Sequence, residues 1–178
     1  MPQLRRVEFP DFKALGKDVQ DFMDALPDIA AISAVNFFQD RFTQKGWIGN
    51  GGIERWNERK DPNAKGSTLI VSGFLKNAFD YQTAKGFVKV SNYAPYSGLH
   101  NEGGVLTIRI TKKSRKFFWY MFYKTNDLKW KMMALTKKES FQMYIPPRQF
   151  MGHSAFFMKR LEMNFTKQID NLTNKHLK

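Results

Sequence analysis

Hydrophobic positions recur with helical spacing along the first quarter of the chain. After Pro10, the residues Phe12, Leu15, Val19, Phe22, Met23 and Leu26 keep to one face, and Asp11 stands where it can cap the first turn. Pro27 is expected to end this helix, since it lacks a backbone N–H and its ring clashes with the preceding turn. Asp28 then opens a second helix with Ile29, Ile32, Val35, Phe38 and Phe42 inward, and Gly46 supplies its left-handed stop. From Trp47 to Ser67 the periodicity is lost among Gly49, Asn50, Gly51, Gly52, Asp61, Pro62, Asn63 and Gly66, so a long ordered loop pinned by Trp47 and Trp56 is expected.

Further on the period shortens. Thr68 to Val71 reads as a short strand and Gly73 to Ala78 as a single helical turn. Phe79 to Thr83 and Phe87 to Asn92 alternate as a hairpin around Ala84-Lys85-Gly86. Tyr93 to Gly104 is rich in turn residues, Val105 to Thr111 alternates as a third strand, and Met143 to Ile145 forms a last one before Pro146 and Pro147. Beyond Gly152, the stripe Phe157, Leu161, Phe165, Ile169 and Leu172 marks a long helix. These elements imply an α+β fold. A small antiparallel sheet is packed by N-terminal helices and a long C-terminal helix, in one domain over residues 1–178.

One stretch resists assignment. Between Lys112 and Met143, the run Phe117 to Tyr123 is seven consecutive aromatic or Met residues, apolar on every side whether coiled or extended. Charge concentrates in the same region. The chain carries a net charge of +13, and from Val105 to Ile145 ten Lys or Arg stand against Asp127 and Glu139, so 10 − 2 = +8 of it lies here. Such a balance favours a polyanion or an acidic protein surface as partner. With 17 Phe, 4 Trp and 6 Tyr, there is more aromatic surface than one small core hides, so part of it meets a partner. Lys112, Lys113, Arg115, Lys116, Trp119, Lys124 and Trp130 are the expected contacts. Two readings stand open: aromatics buried between subunits with hydrated charges around them, or aromatics stacking bases while the cations neutralise phosphates.

Reactive chemistry finds little footing. The absence of cysteine removes disulfides, thiolate nucleophiles and sulfur-ligated metals. No serine sits in a G-x-S-x-G turn, and His100-Asn101-Glu102 lacks the downstream cysteines that a zinc deaminase needs. Neither Gly49-Asn50-Gly51-Gly52 nor Gly66-Ser67-Thr68 has the spacing of a phosphate-binding loop. No catalytic residue, metal or cofactor is therefore expected. Met1 to Pro10 lacks a signal-type apolar run and no stretch reaches the roughly eighteen apolar residues of a membrane span, so the expectation is a cytoplasmic chain without a membrane partner.

A set of short motifs occurs in a telling order. It comprises Gly46-Trp47, Trp56, Leu69-Ile70-Val71-Ser72-Gly73-Phe74-Leu75, Tyr93-Ala94, His100-Asn101-Glu102-Gly103-Gly104, and Ile145-Pro146-Pro147-Arg148-Gln149-Phe150-Met151-Gly152. Their succession resembles the phage virion morphogenesis family, whose Mu-like members act in tail completion and head-to-tail joining. Gln149 departs from the proline usual after the family's arginine. The resemblance implies a structural subunit of the virion, assembled in the host cytoplasm. It further implies a ring of six copies whose partners are tail and head-connector proteins, with DNA in the channel. Within the motifs, Ser72-Gly73 is expected to turn the chain into a helix carrying Leu75. Tyr93 and Ala94 should pack, Gly103-Gly104 should adopt positive φ, Pro146 should stiffen the approach to the last helix, and Phe150 should plug the core. Arg148 is expected to pair with Glu102 through a bidentate fork.

Overall fold

In the computed structural model, residues 11–59 and 66–176 are described. Residues 60–65 of the expected loop and the segment Met1 to Pro10 lie outside them. The fold is α+β, and the chain divides into two compact units, Met1–Ser97 with Arg148–Lys178, and Gly98–Pro147.

The first unit is organised by α1, which runs unbroken over Phe12–Gln44 with Pro27 inside it. The expected break at Pro27 does not occur. Asp28, expected to cap a second helix, instead accepts a hydrogen bond from Thr83 Oγ1 at 2.7 Å, fastening α1 to the hairpin. Asp11 does cap α1, accepting from Lys13 N and Ala14 N at 3.1 and 2.9 Å. The left-handed C-cap is Lys45, with φ 53°, rather than Gly46. Gly46 belongs to β1 (Gly46–Ile48), where a Cβ would lie 2.7 Å from the Glu54 carbonyl oxygen. The expected loop is thus a hairpin in its first half, since β1 pairs antiparallel with β2 (Ile53–Arg55).

The inner face of α1 holds Phe38 and Phe42 as expected and differs from the expectation further up the helix. Ile29 and Ile32 are exposed, while Ala31, Ala34, Phe37, Phe38 and Phe42 are buried. The reason lies in what packs there. Small alanines let neighbouring elements approach, and the large rings then fill the remaining space. Phe37 stacks on Phe157 at 4.9 Å and meets Trp47 edge-on at 5.9 Å. One turn later Phe42 contacts Trp56 and Phe150 at 5.7 and 4.9 Å. Two core clusters result, one around Phe37, Phe38, Trp47 and Phe157, the other around Phe42, Trp56, Leu75, Ala94 and Phe150.

Thr68 to Val71 is a tight bend rather than a strand, closed by a bridge between Ser67 and Ile70 with Leu69 at φ 60°. A single turn, α2 (Phe74–Asn77), leads into β3 (Phe79–Ala84) and β4 (Phe87–Asn92), paired as the alternation predicted. The region after Tyr93 contains a short helix, α3 (Ser97–Glu102), where only turns were expected. The C-terminal α6 (Ala155–His176) is started by buried Ser154, whose hydroxyl accepts from Phe157 N at 3.1 Å and donates to the Ile48 carbonyl at 2.6 Å.

In the second unit, β5 (Gly104–Arg109) pairs antiparallel with β6 (Ser140–Ile145), from Gly104 opposite Ile145 to Arg109 opposite Ser140. Between them lie α4 (Lys112–Thr125) and α5 (Leu128–Leu135). In place of one sheet, the described residues form three two-stranded antiparallel ribbons. The residues expected as its third strand pair within their own unit, because the chain returns to them at β6.

Two measurements bear on these contacts. Replacing Pro27 with Ala restores a helical N–H to α1, so chemical denaturation is expected to show a stability gain of about 1–3 kcal/mol. The second concerns Asp18, which accepts from Lys175 Nζ at 2.8 Å and contacts His176 Nε2 at 2.9 Å. The Lys175 hydrogen bond, then that of His176, lowers its pKa to about 2. A depressed folded pKa stabilises above the unfolded value and loses that effect as pH falls through the folded one. Asp18→Asn should thus lower the melting temperature at neutral pH, and the difference from the parent should shrink between roughly pH 4 and pH 2.

Candidate interface on the second unit

The ambiguous aromatic run is helical. Thr111 and Ser114 form a reciprocal capping box at the start of α4, with Ser114 N donating to Thr111 Oγ1 at 3.2 Å and Thr111 N to Ser114 Oγ at 2.6 Å. Asn126 closes the helix in the left-handed conformation at φ 53°. Asp127 then caps α5, accepting from Lys129 N at 3.0 Å and pairing with Lys129 Nζ at 2.9 Å. That side-chain bond, followed by the backbone one, holds the Asp127 carboxyl below its ordinary range.

Only part of the run is covered. Phe118 is buried and stacks on Trp130 at 6.1 Å, while Phe117 meets the same indole edge-on at 6.0 Å. Trp130, an expected partner contact, is therefore half-buried between the helices. Trp119 is also half-buried, stacked on Tyr123 at 6.0 Å and edge-on to Phe122 at 6.1 Å. Arg115 is tied up within the unit, donating to the carbonyls of Ala134, Thr136 and Lys138 at 2.8, 2.6 and 3.4 Å. These are carbonyls left over at and beyond the end of α5, so the guanidinium serves as a C-terminal clamp.

Other side chains of both helices stay outward, Phe117, Lys129 and Lys131 among them. On α4, Lys112, Lys113, Lys116 and Lys124 are exposed together with Tyr120 and Tyr123. On α5, the apolar Leu128, Met132 and Leu135 stand at helical spacing on one face and are 66, 73 and 62 % exposed. Leu128, Met132 and Leu135 escaped the sequence reading. Their signal was the i, i+4, i+7 spacing, obscured because α5 was not recognised as a helix.

The ordered motifs lie in both units. In the first unit Trp47, Leu75, Ala94 and Phe150 are buried, and Trp56 Nε1 donates to the Gln149 carbonyl at 2.8 Å. Gly73 adopts φ 78° ahead of α2, and Ser72 Oγ accepts from Phe74 N at 3.3 Å. Tyr93, expected to pack, is 62 % exposed with its ring edge-on to Phe74. A Cβ on Gly152 would meet Gln149 Nε2 at 2.7 Å. In the second unit, Gly103 has φ 75°, and a Cβ there would lie 2.8 Å from Pro147 N. Gly104 pairs with Ile145, Pro146 and His100 are half-buried, and Glu102 is exposed.

Arg148 corrects an expectation. Its guanidinium donates to the Asn57 carbonyl at 3.2 and 3.1 Å and to that of Glu58 at 3.5 Å, in place of the Glu102 carboxylate. Backbone carbonyls suffice here because the chain after Trp56 presents two of them in succession to the fork. Burial, with Arg59 adding to it, pushes the Arg148 pKa below its ordinary value.

Among the described residues, no cluster of three or more His, Cys, Asp or Glu is placed to hold a metal ion. No described helix is long and apolar enough to cross a membrane.

The clamp role of Arg115 has a direct test. Arg115→Met should cost about 1.5–3 kcal/mol, the range for hydrogen bonds to a charged group, and amide exchange should accelerate in α5. Unchanged exchange in α5 would show the clamp to be without energetic weight.

No protein-family model, curated protein or solved structure matches the chain.

Proposed function

We propose that this protein is a non-enzymatic subunit of a bacteriophage particle, of the virion morphogenesis type that works where head and tail join. One observation carries the reading: α5 presents Leu128, Met132 and Leu135 as a continuous exposed apolar stripe. Isolated exposed leucines are ordinary, but three apolar side chains on one short helix face form a patch that a neighbouring protein would cover. The order of the motifs, from Gly46-Trp47 to the Ile145-Pro146-Pro147-Arg148 segment, supplies the viral context. Their residues act as packing and turn elements, as a building block requires.

The mechanism is adaptation between two assemblies. Identical subunits associate head to tail into a closed ring, the α5 stripe of one copy seated on the next. One face of that ring docks on the finished tail, and the other meets the head connector.

Sedimentation of the purified chain, with electron microscopy of any particle formed, tests the reading. A closed ring is expected, and Leu128→Glu with Met132→Glu should reduce it to monomers while far-ultraviolet circular dichroism stays unchanged. A parent that remains monomeric at high concentration and in the presence of tail and connector proteins would overturn it.

A further inference from the structure

The outward side of α4 differs in kind from the greasy stripe of α5. Lys112, Lys116, Tyr120 and Lys124 follow one another at every fourth residue and so lie along one line of the helix, with Lys113 and Tyr123 beside it. At 1.5 Å per residue the row is about 18 Å long. All six side chains are exposed. The helix contains no acidic residue, and among the described residues none of these four lysines has a carboxylate partner.

Local stability does not explain this arrangement. Lys112 and Lys116, four apart, and Lys113 and Lys116, three apart, repel one another, and all three crowd the positive end of the helix dipole, where carboxylates would be favoured. Only Lys124, in the last turn, is placed as the dipole prefers. An external anion would relieve the whole row. The tyrosines narrow the choice of anion. Tyr123 is 78 % exposed and Tyr120 57 %, so each offers ring surface among the cations. Tyr120 already has Lys124 Nζ 5.7 Å from its ring centre, and Tyr123 is braced from behind by the stacked Trp119. Alternating charge and braced ring is the chemistry that takes phosphates and unpaired bases together.

We infer that this face of α4 binds a single nucleic-acid strand, the four lysines on successive phosphates and the two tyrosines against bases. The site is separate from the α5 stripe and stands whether or not the chain forms a ring.

Fluorescence anisotropy of a labelled oligothymidine with the full chain reads the site. Four phosphate contacts on a single strand predict a log–log dependence of affinity on salt with a slope near −3 (about 0.7 per contact). Lys112→Gln, Lys116→Gln and Lys124→Gln together should bring the slope to about −1, and Tyr120→Ala or Tyr123→Ala should each weaken binding about fivefold or more at fixed salt. The substituted side chains are all exposed, and circular dichroism is the check that each variant is folded. An unchanged slope in the lysine variant, or no binding at low salt by the folded parent, overturns the inference. Equal affinity for a hairpin duplex, insensitive to both tyrosine changes, overturns the assignment to unpaired bases. Loss of binding to phosphatidylserine vesicles with undiminished oligothymidine binding would reassign the lysines to a membrane surface and overturn it as well. Because the ring test reads α5 and this one reads α4, either can fail alone.

Discussion

The packing of aromatic rings against the last three turns of α1 is the constraint on which the first unit rests. Phe37, Phe38 and Phe42 meet Trp47, Trp56, Phe79, Phe150 and Phe157, which are drawn from widely separated segments of the chain. Rings of this size bury about 150–250 Å² each and lock in edge-on or offset contacts, so a few of them can hold a small unit without disulfides. The β1–β2 hairpin, the bend at Leu69 and the entry to α6 are placed by what these rings require. Ser154 shows the coupling well, since its one hydroxyl both caps α6 and ties it to β1.

The same cluster accommodates an unexpected charge. Arg41 is 1 % exposed, donates from Nε to the Phe37 carbonyl at 3.1 Å and lies 4.4 Å from the Phe37 ring centre. Its Nη1 has no hydrogen-bond partner among the described residues. Desolvation, opposed by Asp40 and reinforced by Arg160, pushes the guanidinium pKa down. The face of Phe37 supplies part of the compensation through its negative quadrupole.

In the second unit the organising problem is different. A ribbon of two strands and a helical pair must hide a block of aromatics too large for them. Phe118 and Trp130 fill the space between α4 and α5, and Arg115 seals the end of α5. Exposed lysines and tyrosines stand on α4 beside Phe117, and on α5 Leu128, Met132 and Leu135 are exposed beside Lys129 and Lys131.

Some of this was written in the residues and some was not. The β3–β4 hairpin, the strand after Gly104, the Asp11 cap and the long C-terminal helix depend on near neighbours, so spacing and turn chemistry determined them. The positive φ of Gly103 and the burial of Phe150 were expected from the resemblance and are found. Tertiary contacts decided the rest. Pro27 stays inside α1, and the Asp28 side chain after it is held by Thr83, 55 residues away. Arg148 turned to the carbonyls of Asn57 and Glu58 because the chain passes there, a proximity that no local pattern encodes. The exposed faces of α4 and α5 emerged only once Phe118 and Trp130 had chosen an inner side, since a run apolar all round carries no signal of direction until something packs against it.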